Sequence, residues 1–467
     1  MNKINFKMFL PHIIAVVGFL ILAVIFYQPL FKGYVVEQQD VKQYMGMSKE
    51  IEDYRVAHDG QEPLWTNSMF GGMPAYQITV NHQDNWTLHV DKAMKFGLPK
   101  PVATLFWVML GFYIFAMCLK INPWLSMIGA VAFGFSTINI LYIGAGHVTK
   151  VNAISYIAPA VGGFILAFRG KALLGGAIFA LFFALQVTAN HLQMTYYLAF
   201  LLVAIAISES IRIAIKKEWK DLMISYGVLS IAGILAILPN ASNLVTTQEY
   251  SKHTTRGASE LTIKPKGQES SSTDENGLNK SYILQYNFGQ REILSAAFPN
   301  VKGGAQQLLV SNKEVVKMIE KDSKYSEYSD YLLNDNPEKG PRFLTYFGGQ
   351  ATSGGAFYFG IIMIAFALLG FIFVRDSLRW PFLFILILSA LLASNDPDGI
   401  NAFFIEKFPL YNKFRDSKMI LVLAQLILPA MALLFLNGLI SQKVVESEKS
   451  EAKSLVLQSD GKMIFGV

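Results

Sequence analysis

Apolar residues along this chain are gathered into long blocks and are not spaced one or two to a helical turn. Ten runs stand out, near 9-30, 101-119, 123-143, 153-168, 172-189, 191-208, 222-239, 353-374, 380-393 and 418-438. Most approach the length that carries a helix across a bilayer, about 17 to 25 residues, and those at 153-168 and 380-393 are the shortest. The first run lacks a small-residue cleavage site and continues into Tyr27, Leu30 and Phe31, so it reads as a retained helix and not a signal peptide. The pattern predicts an all-α polytopic membrane protein, a bundle of about ten helices with two long polar segments at about 32-100 and 240-352.

Composition strengthens this picture. Hydrophobic residues make up 52% of the 467 and charged residues only 16%. The single cysteine, Cys118, lies inside an apolar run, so no internal disulfide is possible. No nucleic-acid motif accompanies the net charge of +6, most of which follows from topology. With Lys3 and Lys7 placed inside, Lys120, Arg169/Lys171, Arg212/Lys216/Lys217/Lys220, Arg375/Arg379 and Lys443/Lys449/Lys453 all fall on the same, cytoplasmic side. The expected organisation is a first transmembrane helix at 1-31 and an extracytoplasmic loop at 32-100. Helices two to seven occupy 101-239, a large extracytoplasmic loop 240-352, and helices eight to ten 353-438, with a basic outer loop at 394-417. A cytoplasmic tail at 439-467 closes the chain.

The outer segments carry the candidate chemistry. The spacing of Val41, Tyr44, Met45, Met47, Ile51 and Tyr54 predicts a surface helix over 37-57, and "SSSTDENG" at 270-277 reads as a loop tip. Sequons stand at Asn85, Asn240 and Asn279. The link "IEKFPLYNKFRDSKM" at 405-419 sets Lys407, Lys413, Arg415 and Lys418 against Glu406 and Asp416, breaking the charge rule that every other short loop obeys. Such cations suit a phosphate, because Arg grips it bidentately and Lys adds point charge, or they snorkel to lipid headgroups. Asp40, at the outer mouth, is of a type that activates a hydroxyl as general base or holds a divalent metal, whereas most surface carboxylates are simply solvated. Polar clusters at helix ends bring His147, Thr149, Lys150 and Asn152, then Asn190, His191, Gln193, Tyr196 and Tyr197, to the same side. These are capping or interfacial residues, or they converge with Asp40. Trp65 is either a membrane-interface anchor or a sugar-stacking platform. No zinc-ligand spacing is present. Ionisable residues are absent from the middles of the runs, which argues against an ion-coupled pump.

The ordered set "QQDVKQY", "PLWTNSMFGGMP", "GAGHVTKVNAISYIAP", "ANHLQMTYYL", "YFGGQATSGGAFYFG" and "FPLYNKFRDSKM" resembles the YfhO-like family of bacterial membrane proteins, within the GT-C class of lipid-linked sugar glycosyltransferases. The resemblance implies an enzyme of the bacterial cytoplasmic membrane that works on its outer face. It would take a sugar from a polyprenyl-phosphate carrier and attach it to a cell-envelope glycan, polymer or protein. It assigns Asp40 as base, or as metal ligand where a divalent cation such as Mg or Mn is used. Arg415, Lys418 and Lys413 would hold the donor phosphate, and His147, Asn152, Asn190, His191, Gln193, Tyr196 and Trp65 would line the sugar or acceptor site. Family chains tend to be longer, with further helices after the tenth, so this chain reads as a fragment or a short member. The alternatives are a lipid-linked glycan transporter, which predicts broken helices with central polar residues that the runs do not show, and a non-enzymatic envelope-assembly scaffold.

Overall fold

A computed structural model describes residues 6–79, 84–258, 277–338 and 340–441. Most of the loop tip at 270-277 and the tail beyond Ser441 lie outside the described residues. The described residues are 69% helix and 2% strand. Every apolar run carries apolar helix. Among the described residues, five helices are long and apolar enough to cross a membrane: Lys100–Cys118 (α4), Val148–Phe168 (α7), Leu192–Ile215 (α9), Trp219–Ser251 and Ser417–Ser441. The bent pair Pro123–Gly134 (α5) and Thr137–Ala145 (α6) reaches that length if counted together, and four shorter apolar helices are Leu10–Phe26 (α1), Ala172–Thr188 (α8), Ile361–Phe373 and Arg379–Ala393. These lengths and compositions are those of a membrane protein.

Burial separates centre from periphery. The apolar windows of α7, Ser417–Ser441 and α4 are 94%, 83% and 78% buried, against 33% for α9 and 22% for Trp219–Ser251. The peripheral helices leave Met223, Ile231, Ile234, Leu235, Ile362 and Ile372 exposed, an outward apolar face suited to lipid. Small residues let the central helices close up: a Cβ on Gly175 of α8 would sit 2.6 Å from the Gly163 carbonyl of α7. Helix starts are written locally. Proline stands in the first turn of α1, α4 and α5, and Asn122 caps α5 by accepting the Trp124 amide at 2.9 Å.

The break between α5 and α6 bends the chain by 46°. Carbonyls freed by a break inside hydrocarbon must find donors. Asn139 donates Nδ2 to Phe133 O at 2.7 Å and Gly134 O at 3.2 Å, and Gln425 donates to Ser136 Oγ at 2.7 Å. The expectation of unbroken spans without central polar groups is thereby corrected.

The expected surface helix is Gln39–Ala57 (α2), in which Ser48 and Ile51 are the buried residues, while Tyr44, Met45 and Tyr54 remain exposed. The two-residue strands Trp65–Thr66 and Met73–Pro74 pair antiparallel, with Trp65 opposite Pro74. Glu50 of α2 accepts Thr66 Oγ1 at 2.6 Å and Ser68 N at 2.8 Å, fixing this hairpin to the helix. Those bonds, Thr66 first, lower the Glu50 pKa. The second polar segment packs onto the bundle: Leu278, Ile283, Leu284 and Phe288 join the common core. Asn287 clamps it by donating Nδ2 to Leu392 O at 2.9 Å and Ser417 Oγ at 2.8 Å. Two sequons are part of this packing, since Asn85 donates to Asn240 Oδ1 at 3.1 Å and both are buried.

At the opposite end of the bundle from Asp40, the structure adds a buried ion cluster just beyond the run at 191-208, whose middle is free of ionisable groups as expected. Helix α9 runs on to Ile215 and so contains Glu209 and Arg212. Glu209 is fully buried and accepts Arg212 Nε at 2.7 Å, Ser377 Oγ at 2.6 Å and an Arg169 guanidinium nitrogen at 3.1 Å. Arg169 also pairs with Asp376 at 2.5 Å.

Candidate functional site

Helix connectivity brings four chain breaks to one end of the bundle: the start of α2, the α6–α7 turn, the α8–α9 turn and the turn entering Ser417–Ser441. Gly146 closes α6 at φ 87°, a left-handed conformation that glycine adopts without a Cβ penalty. A Cβ there would meet Gln38 Cβ at 3.0 Å and Val41 N at 3.2 Å. The close approach docks α2 on the turn, and Gln38 Nε2 donates to Ile143 O at 2.5 Å.

That docking joins two residues 107 positions apart. Asp40 Oδ2 lies 2.5 Å from His147 Nδ1, with the side chains 47% and 28% exposed. Asp40 is in the first turn of α2, where the helix dipole favours a carboxylate. Burial, then the Lys150 charge, push the His147 pKa down, and Asp40 opposes both. Lys150, half-buried one turn into α7, sits over the Tyr142 ring at 4.9 Å and makes no salt bridge among the described residues.

Asp416 completes the cluster. It adopts φ 55°, a left-handed conformation that Asp tolerates better than most residues, and its Oδ1 is buried without a partner. Its charge reaches both His147 and Lys150. The sequence showed Asp416 only as a counter-charge in a basic loop; no local signal marked it out. His191 also brings a buried unpartnered atom, Nδ1. Burial first, then Lys150, push its pKa down to about 4 from 6.5. The folded protein therefore binds fewer protons than the unfolded chain between these values. Stability held above pH 6.5 should be lost as pH falls through 4, by up to about 3 kcal/mol. Thermal melting from pH 7 to 4 checks this: the slope should flatten in His191→Gln, and an equal slope in both proteins would rule it out.

The remaining expected site residues divide. Arg415 is exposed beside the cluster, its guanidinium donating to Tyr282 Oη at 2.5 Å. Lys413 Nζ donates to the Arg256 carbonyl at 2.6 Å and so ties two loops together. Lys418 is placed differently. The chain turns inward at Asp416, so Lys418 is only 6% exposed, bonded to Gln350 Oε1 and 4.9 Å from the Phe357 ring centre. Gln350 in turn donates to the buried Glu292 at 2.7 Å. Gln193 and Tyr196 hold backbone instead of lining a cavity, donating to Arg415 O at 2.7 Å and Pro409 O at 2.6 Å. Asn190 accepts from Asn243 at 3.0 Å. Asn152 is part-buried two residues past Lys150, toward the other side of α7. Trp65 is 56% exposed on the hairpin held by Glu50, about 15 Å further along α2 than Asp40 at the helical rise per residue.

Among the described residues, no group of three or more His, Cys, Asp and Glu side chains is placed to hold a metal ion. A divalent cation at Asp40, where one is used, would find no cage of three or more such side chains among the described residues. An open groove of about 750 Å³ lies between Gln306–Leu308, Arg342, Leu344 and Thr352–Gly354. With Arg342 as its sole charged lining residue it offers no acid–base pair, so the charge cluster is the stronger site. Comparison with family models, curated proteins and solved structures found no match.

Proposed function

We propose that this chain is a membrane glycosyltransferase of GT-C type, moving a sugar from a polyprenyl-phosphate-linked donor to a cell-envelope acceptor outside the bacterial cytoplasmic membrane. The observation that carries this reading is the Asp40–His147 pair at 2.5 Å, set beside the cations of Lys150 and Arg415 at one end of an apolar bundle. The short loops at the other end carry Lys120, Arg169, Lys171, Arg212, Lys216, Lys217, Lys220, Arg375 and Arg379, and the charge rule for short loops assigns that end to the cytoplasm.

The chemistry follows from those groups. An acceptor hydroxyl needs a base to become a nucleophile, and the Asp40–His147 pair supplies one. Displacement at the anomeric carbon leaves negative charge on the departing polyprenyl phosphate. Lys150 and Arg415 stand where that charge can be neutralised. Direct displacement of this kind inverts the anomeric carbon.

The test is transfer of labelled sugar from a panel of polyprenyl-phosphate donors to envelope extract, using the full chain in membranes. Turnover above membranes lacking the protein supports the reading; no turnover with any donor ends it. Within the same assay, Arg415→Ala should raise the donor KM about 10-fold with kcat within about 3-fold, since the lost contact serves binding. An unchanged KM would remove Arg415 from the donor site.

One observation favours a second reading, lipid-linked glycan transport. The α5–α6 break carries buried acceptors without partners, Asn139 Oδ1 and Gln425 Oε1, and broken helices are a transporter feature. Movement of a labelled lipid-linked glycan across vesicles without sugar transfer would select it. A scaffold would give neither transfer nor transport, with or without Asp40→Asn.

A further inference from the structure

Within the acid–base pair, the geometry points to His147 Nε2 as the atom that takes the acceptor's proton, with Asp40 a positioning residue that fixes the imidazole and stabilises the cation it becomes. This inference rests on the sugar-transfer reading and assigns the base within it.

An ionised carboxylate only accepts hydrogen bonds, so the 2.5 Å contact between Asp40 Oδ2 and His147 Nδ1 puts the imidazole proton on Nδ1. The lone pair then lies on Nε2. Nε2 has no hydrogen-bond partner among the described residues, yet it is not among the buried atoms sealed from solvent. It is thus both unprotonated and reachable. The edge-to-face contact with Tyr142, ring centres 5.5 Å apart, fixes the ring plane from the other side.

The charges around the ring favour a neutral resting imidazole. His147 directly precedes α7, whose amino end carries partial positive charge, and Lys150 adds a full charge in the first turn. Asp40 from α2 and Asp416 from the turn before the last helix oppose these, while His191 from α9 is itself held neutral. The Asp40 charge is spent on Nδ1. Imidazole is also the side chain whose basicity lies nearest neutral pH.

The step balances. The acceptor hydroxyl gives its proton to Nε2, and its oxygen lone pair forms the new bond to the anomeric carbon. The bond from that carbon to the donor phosphate oxygen breaks, and its electron pair leaves on polyprenyl phosphate. The imidazolium, held by the Asp40 carboxylate, then returns its proton to water.

Two measurements on the full chain in lipid nanodiscs test this. Nitrogen-15 NMR of labelled histidines, with His147 assigned by its loss in His147→Gln, should show the neutral Nδ1–H form. Asp40→Ala should move it toward the Nε2–H form that unconstrained imidazole prefers. In the transfer assay, His147→Ala should lower kcat about 10²–10⁴-fold with donor KM within about 3-fold, and added imidazole should restore at least about 10-fold of the loss. A native Nε2–H form, or a His147→Ala protein keeping more than about a third of native kcat, overturns the assignment while leaving sugar transfer standing. A native chain that transfers nothing overturns both, and the first arm still reads the pair without any donor.

Discussion

Asp40→Asn is expected to lower sugar transfer about 10²–10⁴-fold, the usual contribution of a placed acid–base group, with expression and melting temperature unchanged. The substitution keeps shape and one acceptor oxygen, so His147 can still be held, but it removes the charge that stabilises an imidazolium. The loss should appear in kcat and not in donor KM, because the phosphate contacts are untouched. Asp40 is 47% exposed and, among the described residues, its side chain is tied to the bundle through His147, so folding has little stake in its charge. Initial rates over a range of donor concentrations, on matched amounts of folded protein, decide the point. A variant within about 3-fold of native would remove Asp40 from the chemistry while leaving sugar transfer standing.

At the other end of the bundle the expected effect is on stability. Glu209→Ala should destabilise the protein by about 3–5 kcal/mol, because it removes the shared anion from a buried ion cluster. Arg212 Nε, at 2.7 Å, would lose its carboxylate, and Arg169 would keep Asp376 as its carboxylate, with Ser377 Oγ at 3.3 Å. The cluster also links α7 and α9 to the turn before Arg379–Ala393, so its loss loosens the join between early and late helices. Lys49→Ala is the contrasting case. Its pair with Asp53 is 69% and 61% exposed, and such pairs contribute little, about 0–1 kcal/mol. Thermal unfolding of both variants in one detergent gives the comparison. A Glu209→Ala protein melting with Lys49→Ala would mean that the cluster is bypassed by relaxation.

Sequence by itself determined the elements. Each apolar run carries apolar helix, because helix formation in a block of such residues is a short-range property of chain and solvent. The run at 123-143 divides into α5 and α6, and that at 353-374 is helical only over Ile361–Phe373. The surface helix beginning at Gln39, the proline starts and the Asn122 cap are local in the same sense. Tertiary structure alone decided which polar groups meet. The Asp40–His147 contact spans 107 positions and depends on Gly146 admitting Gln38 and Val41, a packing fact with no signature in either motif. Lys418 and Arg415 look alike in "FRDSKM", yet the left-handed turn at Asp416 leaves Arg415 exposed and carries Lys418 into the core. Gln193 and Tyr196 were legible as polar residues at a helix end, but backbone carbonyls of the 409–416 link claim their donors. Glu209 escaped notice because the run at 191-208 stops one residue short, and burial of its carboxylate is sustained by Arg169, which belongs to another helix end. Hydropathy reports how each residue partitions from water; the partner that makes a buried charge tolerable is fixed only when distant segments pack together.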